Sequence, residues 1–169
     1  MKQINKRFVF DNEKKEMVIF IKPSPLFTRI ILSIVIGISI SIPILVTAFA
    51  IYSRAELKIG LFFSYFLFFG IGFYLLRVFL WNCYGKEVII FNKENIKYYA
   101  DYKYFKDGRQ TIKNVNLDIY FSEFTEGSEK KGILIIENEK EKITSCIKLP
   151  KKEVKLIVDK INSDYKSKI

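Results

Sequence analysis

The sequence predicts an α+β membrane protein, a transmembrane helical hairpin set into an antiparallel β unit that ends in a helix. Three observations carry this. Two uncharged apolar runs, 30–53 and 59–76, are separated only by a short polar segment with Arg54, Glu56 and Lys58. The polar portions on both sides read as short apolar runs punctuated by turn residues. The closing stretch changes to a helical period.

Taken in chain order, residues 1–25 form the first part. Segments 7–10 and 17–21 are short and apolar around the polar 11–16, the pattern of a β-hairpin. Pro23 and Pro25 stop it, because each removes a ladder donor and biases the residue before it to extended backbone. A stiff connector therefore leads into the membrane part, residues 26–81.

A hydrocarbon core of about 30 Å needs roughly 20 apolar residues at about 1.5 Å each. The first run meets this at 30–53. The second reaches it at 59–80, once Val78, Phe79 and Leu80 are counted beyond Arg77, whose long stem can snorkel. As soluble helices both would lack a polar face, and a 169-residue chain has little other mass to wrap them. A cleaved signal sequence fits poorly, since the first run is long and follows a mixed polar segment. Pro43, near Ser39 and Ser41, predicts a tolerated bend. Gly60, Ser64, Gly70 and Gly72 offer small surfaces for helix–helix contact. Neither run carries an ionisable side chain of the kind that ion paths and proton relays use.

Basic residues flank the pair unevenly. Lys14, Lys15, Lys22 and Arg29 precede it and Arg77, Lys86 and Lys93 follow, against Arg54 and Lys58 between the runs. The positive-inside rule then places both termini in the cytoplasm, in a multi-pass protein of the inner membrane. Cys83 and Cys146, far apart and without metal-like spacing, suit a reducing compartment. The net charge of +10 is spread over both polar portions. It matches attraction to anionic lipid, and no nucleic-acid motif accompanies it.

Residues 82–169 form the third part. Segments 87–91 and 95–99 flank Asn92-Lys93-Glu94 as a hairpin, and 102–105 meets 109–112 across Lys106-Asp107-Gly108, where Asp-Gly suits a tight turn. Val115, Leu117, Ile119 and Phe121 alternate with polar residues, predicting a half-buried strand over 115–122. The charged 124–131 reads as an exposed loop, and 132–137 pairs with 142–149 around 138–141. From Pro150 to about 166, Val154, Ile157, Val158, Ile161 and Tyr165 recur at helical spacing opposite a lysine-rich face, as in a helix that caps a sheet.

Several chemistries are disfavoured. There is no histidine, the commonest neutral-pH base and metal ligand. Glu137, Glu139 and Glu141 fall in a turn, where solvated charge is the simpler reading than an acid–base pair. Cys83 lacks a nameable base, so a packed thiol is preferred to an acylated one. The chain is accordingly read as not an enzyme, with no catalytic, cofactor-binding or metal residues.

From about 85 to 165, the successive hairpin strands, the Ile112-Lys113-Asn114-Val115 entry into a long alternating strand, a further hairpin and the helix opening Leu149-Pro150-Lys151-Lys152-Glu153 resemble the bacterial pleckstrin-homology-like (PH-like) domain. That family is often joined to a pair of membrane helices. The resemblance spans roughly half of the chain and implies a sandwich or partly open barrel of about seven antiparallel strands, plugged by the helix. One departure is the hairpin ahead of the membrane part, which is expected to join the cytoplasmic sheet and cover an edge. Eukaryotic relatives of the fold bind inositol phosphates through basic strand-loop residues. That pattern is not recognisable here, and Lys103, Lys106 and Arg109 are the electrostatic candidates for lipid-headgroup contact.

The expected function is a membrane-anchored cytoplasmic module that binds or scaffolds a protein partner at the inner face, with membrane lipid as a further partner and a second copy as another candidate. The alternative is a toxin-immunity or envelope-stress protein acting through its transmembrane helices.

Overall fold

The computed structural model describes residues 2–4, 7–11, 13–54 and 59–166, excluding the side chains of 2–4 and 164–166. Asn12 of the first expected turn, Glu56 and Lys58 between the apolar runs, and the Tyr165 side chain of the helical stripe lie outside that description. The chain divides into two compact units, Lys22–Gly85 and the combination of Met1–Ile21 with Lys86–Ile169.

The first unit is helical. Helices α1, Leu26–Tyr52, and α2, Ile59–Tyr84, are both long and apolar enough to cross a membrane. At about 1.5 Å per residue each runs about 40 Å, more than a hydrocarbon core of about 30 Å. They pack antiparallel: a Cβ placed on Gly72 would lie 3.5 Å from Ser39 Cβ, and Thr47 Oγ1 lies 2.8 Å from the Tyr65 hydroxyl. Pro43 sits inside α1, where it removes one backbone donor. Around it, Ser39 Oγ donates to the Val35 carbonyl and Thr47 Oγ1 to the Pro43 carbonyl.

The second unit holds two antiparallel sheets and a helix. Its first sheet runs in the order β1 (Lys2–Ile4), β2 (Phe8–Asp11), β3 (Glu16–Phe20), β4 (Lys86–Phe91), β5 (Asn95–Asp101) and β6 (Lys106–Lys113). Period-two alternation turns Met17, Ile19, Ile89, Phe91, Ile96 and Ile112 to a buried face. Both α1 and α2 are inserted between two neighbouring strands, since β3 pairs with β4 with Val18 opposite Val88.

In the second sheet, β8 (Glu129–Glu137) pairs with β7 (Asp118–Glu126) on one side and with β9 (Lys142–Thr144) and β10 (Leu149–Pro150) on the other. The two sheets do not join into one closed barrel. Helix α3, Lys151–Lys166, packs on β7, β8 and β10 through Val154, Ile157, Val158 and Ile161, all buried. Gly132 on β8 makes that approach close, for a Cβ there would lie 2.7 Å from Val154 Cγ1.

Three local expectations change. Asp107 and Gly108 are not the tip of a hairpin; they lie within β6, where the pairing shifts between Tyr98 and Ala100 and Gly108 takes φ +59°. The Asp-Gly pair thus makes a glycine bulge, which needs the same positive φ as a tight turn. The turn itself is 102–105, with Lys103 at φ 71° and its N–H donating to Asp101 Oδ1 at 3.1 Å. Second, the strand expected over 115–122 is β7, starting at Asp118. Val115 is 62% exposed, and Asn116 takes φ 50° in the connection before it. Third, 124–131 is not an exposed loop but the end of a β7–β8 hairpin, closed by Gly127 and Ser128 with Glu126 opposite Glu129. Gly127 supplies φ +64° at the first turn position, where tight hairpins of this kind place glycine.

Candidate functional site

The β5–β6 turn lies at a defined row of the first sheet. Phe20 is opposite Lys86, Lys86 opposite Asp101, and Asp101 opposite Lys106. This row is where β3 ends and β4 begins, so the chain leaves the sheet toward α1 and returns from α2 at the same end. The turn carries Lys103, whose Nζ is 5.1 Å from the centre of the Tyr104 ring, and Tyr104 is 71% exposed. Lys106 Nζ stands 5.2 Å from the Tyr99 ring centre. Arg109, exposed in the bulge, also acts on Tyr99. Burial first, then Glu16 and Asp101, raise that phenol above its ordinary pKa, and Arg109 pulls the other way. Lys106 and Arg109 are thereby gathered around Tyr99, while Lys103 belongs to the turn.

Both acids of this stretch are engaged. Asp101, 15% exposed at its side chain, pairs with Lys86 at 3.6 Å, and Asp107 accepts a hydrogen bond from the Tyr102 hydroxyl. What reaches solvent is basic and aromatic.

The four small residues of α2 separate. Gly72 meets Ser39 and Ile40 of α1, whereas a Cβ on Gly60 or Gly70 would meet nothing within 4 Å. Ser64 Oγ donates to the Leu61 carbonyl of its own helix. Of these three glycines, Gly72 is the one that faces α1 at contact distance.

Glu87, not singled out by the sequence reading, is 0% exposed. Its Oε1 accepts the Tyr98 hydroxyl at 2.8 Å, the Ile147 N–H at 3.0 Å and the Cys146 N–H at 2.5 Å, and its Oε2 accepts Ser145 Oγ at 2.6 Å. Burial, followed by the Glu87 charge and the hydrogen bond to it, raises the Tyr98 phenol far above its usual pKa. Residues 145–147 lie in the link from β9 to β10, so this carboxylate of the first sheet organises a turn of the second. A sequence signal was present, since Glu87 is in phase with Ile89 and Phe91 on the inward face. Apart from Tyr98, 11 residues on, its partners lie 58 to 60 residues away, beyond the reach of any local pattern.

At the opposite end of β6, the connection before β7 and the β8–β9 turn form an open groove of about 420 Å³, lined among others by Lys113, Val115, Asn138, Glu139, Lys140 and Glu141. Its walls are tied together: Glu141 Oε2 accepts the Lys113 N–H, and Asn138 Nδ2 donates to the Lys113 carbonyl. Among the described residues, no group of His, Cys, Asp and Glu is arranged to hold a metal ion. In comparisons with known proteins, no family model, no curated protein and no solved structure matches the chain.

Proposed function

We propose that the chain is a non-enzymatic module of the bacterial inner membrane, held by the α1–α2 hairpin with both termini cytoplasmic, whose PH-like β unit binds or scaffolds a protein partner at the inner face. The observation that carries this is the β3–β4 pairing. Strands that exchange backbone hydrogen bonds occupy one compartment, so the segments before α1 and after α2 are on the same side of whatever the helices cross. The basic flanks make that side the cytoplasm. Seven strands, β4 to β10, followed by a helix, support the PH-like reading.

The groove at the end of β6 opposite the row where β3 ends and β4 begins is the surface assigned to the partner, because Val115 presents apolar area among charges there. A photo-crosslinker at Val115 in intact cells should yield a discrete protein adduct that Lys113→Glu with Lys140→Glu weakens. Adducts unaffected by that pair of substitutions, or none, would refute this surface.

A second reading, toxin immunity or envelope stress through the bilayer, draws on the open surroundings of Gly60 and Gly70. It predicts that Gly60→Leu with Gly70→Leu abolishes activity while leaving the Val115 adduct intact.

A further inference from the structure

We infer that the β5–β6 turn is a second membrane contact, in which Lys103, Lys106 and Arg109 meet anionic lipid headgroups and Tyr104 enters the interface. This rests on the membrane-anchored reading above. Connectivity sets the distances. Lys86 follows Tyr84, the last residue of α2, by two positions, at most about 7 Å of extended chain. Lys106 is two strands across the same row from Lys86, about 10 Å at the usual strand spacing. A helix that spans the bilayer ends near the headgroups, and Lys106 follows that end by about two Debye lengths of chain and sheet at physiological salt.

The surface suits that neighbour. Three basic side chains are exposed, while of the carboxylates around them Asp101 is engaged by Lys86 and Asp107 by Tyr102, which leaves Glu16, on the Tyr99 side, as an opposing charge. Tyrosine has the apolar body and polar tip that favour the headgroup level, and Tyr104 is 71% exposed in the turn. Phe20, 40% exposed at the end of the same row, adds apolar area there. Anionic lipid is preferred to a protein as the occupant because the site adjoins the points where the chain enters the membrane, and the attraction is a sum of point charges without a shaped pocket.

The test uses full-length protein carrying Tyr104→Trp and Trp81→Phe, reconstituted into phosphatidylcholine vesicles with or without phosphatidylglycerol, both containing brominated lipid. The introduced indole should shift to the blue and be quenched more strongly when phosphatidylglycerol is present. High salt should reverse this, and each of Lys103→Gln, Lys106→Gln and Arg109→Gln should lower the equilibrium constant for engagement about fivefold. Equal emission in the two vesicle types, or quenching insensitive to all three substitutions, overturns the inference. Alkaline carbonate extraction of the same vesicles separates the two claims. Protein that stays in the pellet without the spectral shift refutes the lipid contact alone, and protein that is released refutes the anchor as well.

Discussion

Replacing Glu87 with alanine should be among the most damaging single changes in the β unit. The carboxylate is wholly buried and takes four donors: the hydroxyls of Tyr98 and Ser145 and the backbone N–H groups of Cys146 and Ile147. The hydroxyls have some recourse, since Ser145 Oγ already reaches the Ile147 carbonyl at 3.1 Å and Tyr98 lies 3.7 Å from Cys146 Sγ. Of the two backbone donors, the Cys146 N–H, at an exposed residue, can turn to water, but the Ile147 N–H is buried and has no such freedom. A buried donor left without an acceptor costs about 1–3 kcal/mol, a sizeable share of the about 5–15 kcal/mol that holds a domain together. Glu87→Gln keeps Oε1 as an acceptor and lets Ser145 accept from the new amide, so it should lose only about 1–2 kcal/mol as charge-assisted bonds become neutral. Hydrogen exchange on the purified full chain reads this at the site. The Ile147 amide should exchange at least about fivefold faster in Glu87→Ala. Unchanged exchange there, with stability within about 0.5 kcal/mol of the parent, would refute the reasoning.

Three further expectations follow from the same packing. The folded state holds the Tyr98 proton more tightly than the unfolded chain, whose value is 10.0, so its contribution is complete below that pH and is lost as pH rises above it. Denaturant midpoints should therefore begin to fall above about pH 10, and fall less in Tyr98→Phe. At Gly132, a Cβ would press on Val154 and on Phe121 Cδ2 at 3.2 Å, so Gly132→Ala should destabilise by about 1–3 kcal/mol, read as faster proteolysis within α3. Gly72→Leu should loosen the α1–α2 pair where Gly70→Leu does not, seen as weaker disulfide trapping between cysteines placed at 40 and 73 in a background lacking Cys83 and Cys146.

Much of the architecture was written in local pattern, and the errors have local causes. The helices were legible because uninterrupted apolar length has few other uses, although α1 begins at Leu26 and α2 runs on to Tyr84, beyond the expected 30 and 80. Helix α3 was legible from Val154, Ile157 and Ile161, which face one way. Periodicity fell silent over 124–131 because that end of the β7–β8 hairpin is wet on both sides. It is held by Lys131 with Glu126 at 3.2 Å and by Lys148 Nζ 5.1 Å from the Phe124 ring centre. Alternation also ran on misleadingly to Val115, because an apolar residue in a loop continues the period without being buried.

Of the candidate site, the residue types were readable and their arrangement was not. Lys103, Lys106 and Arg109 were grouped around a supposed Asp-Gly turn, and the bulge instead carries Lys106 and Arg109 to Tyr99. A glycine at positive φ serves a turn or a bulge equally, and only the register across to β5 decides between them.

The central claim is that α1 and α2 cross a membrane as a pair and return the chain to the sheet it left. Labelling of single cysteines by an impermeant maleimide in sealed, oriented vesicles tests it most directly, using native Cys146, Glu13→Cys in the β2–β3 turn and Arg54→Cys after α1, each in a background without other thiols. The account predicts that positions 13 and 146 react from the same side and position 54 from the other. Labelling of 13 and 146 from opposite sides, or of all three from one side, would contradict it.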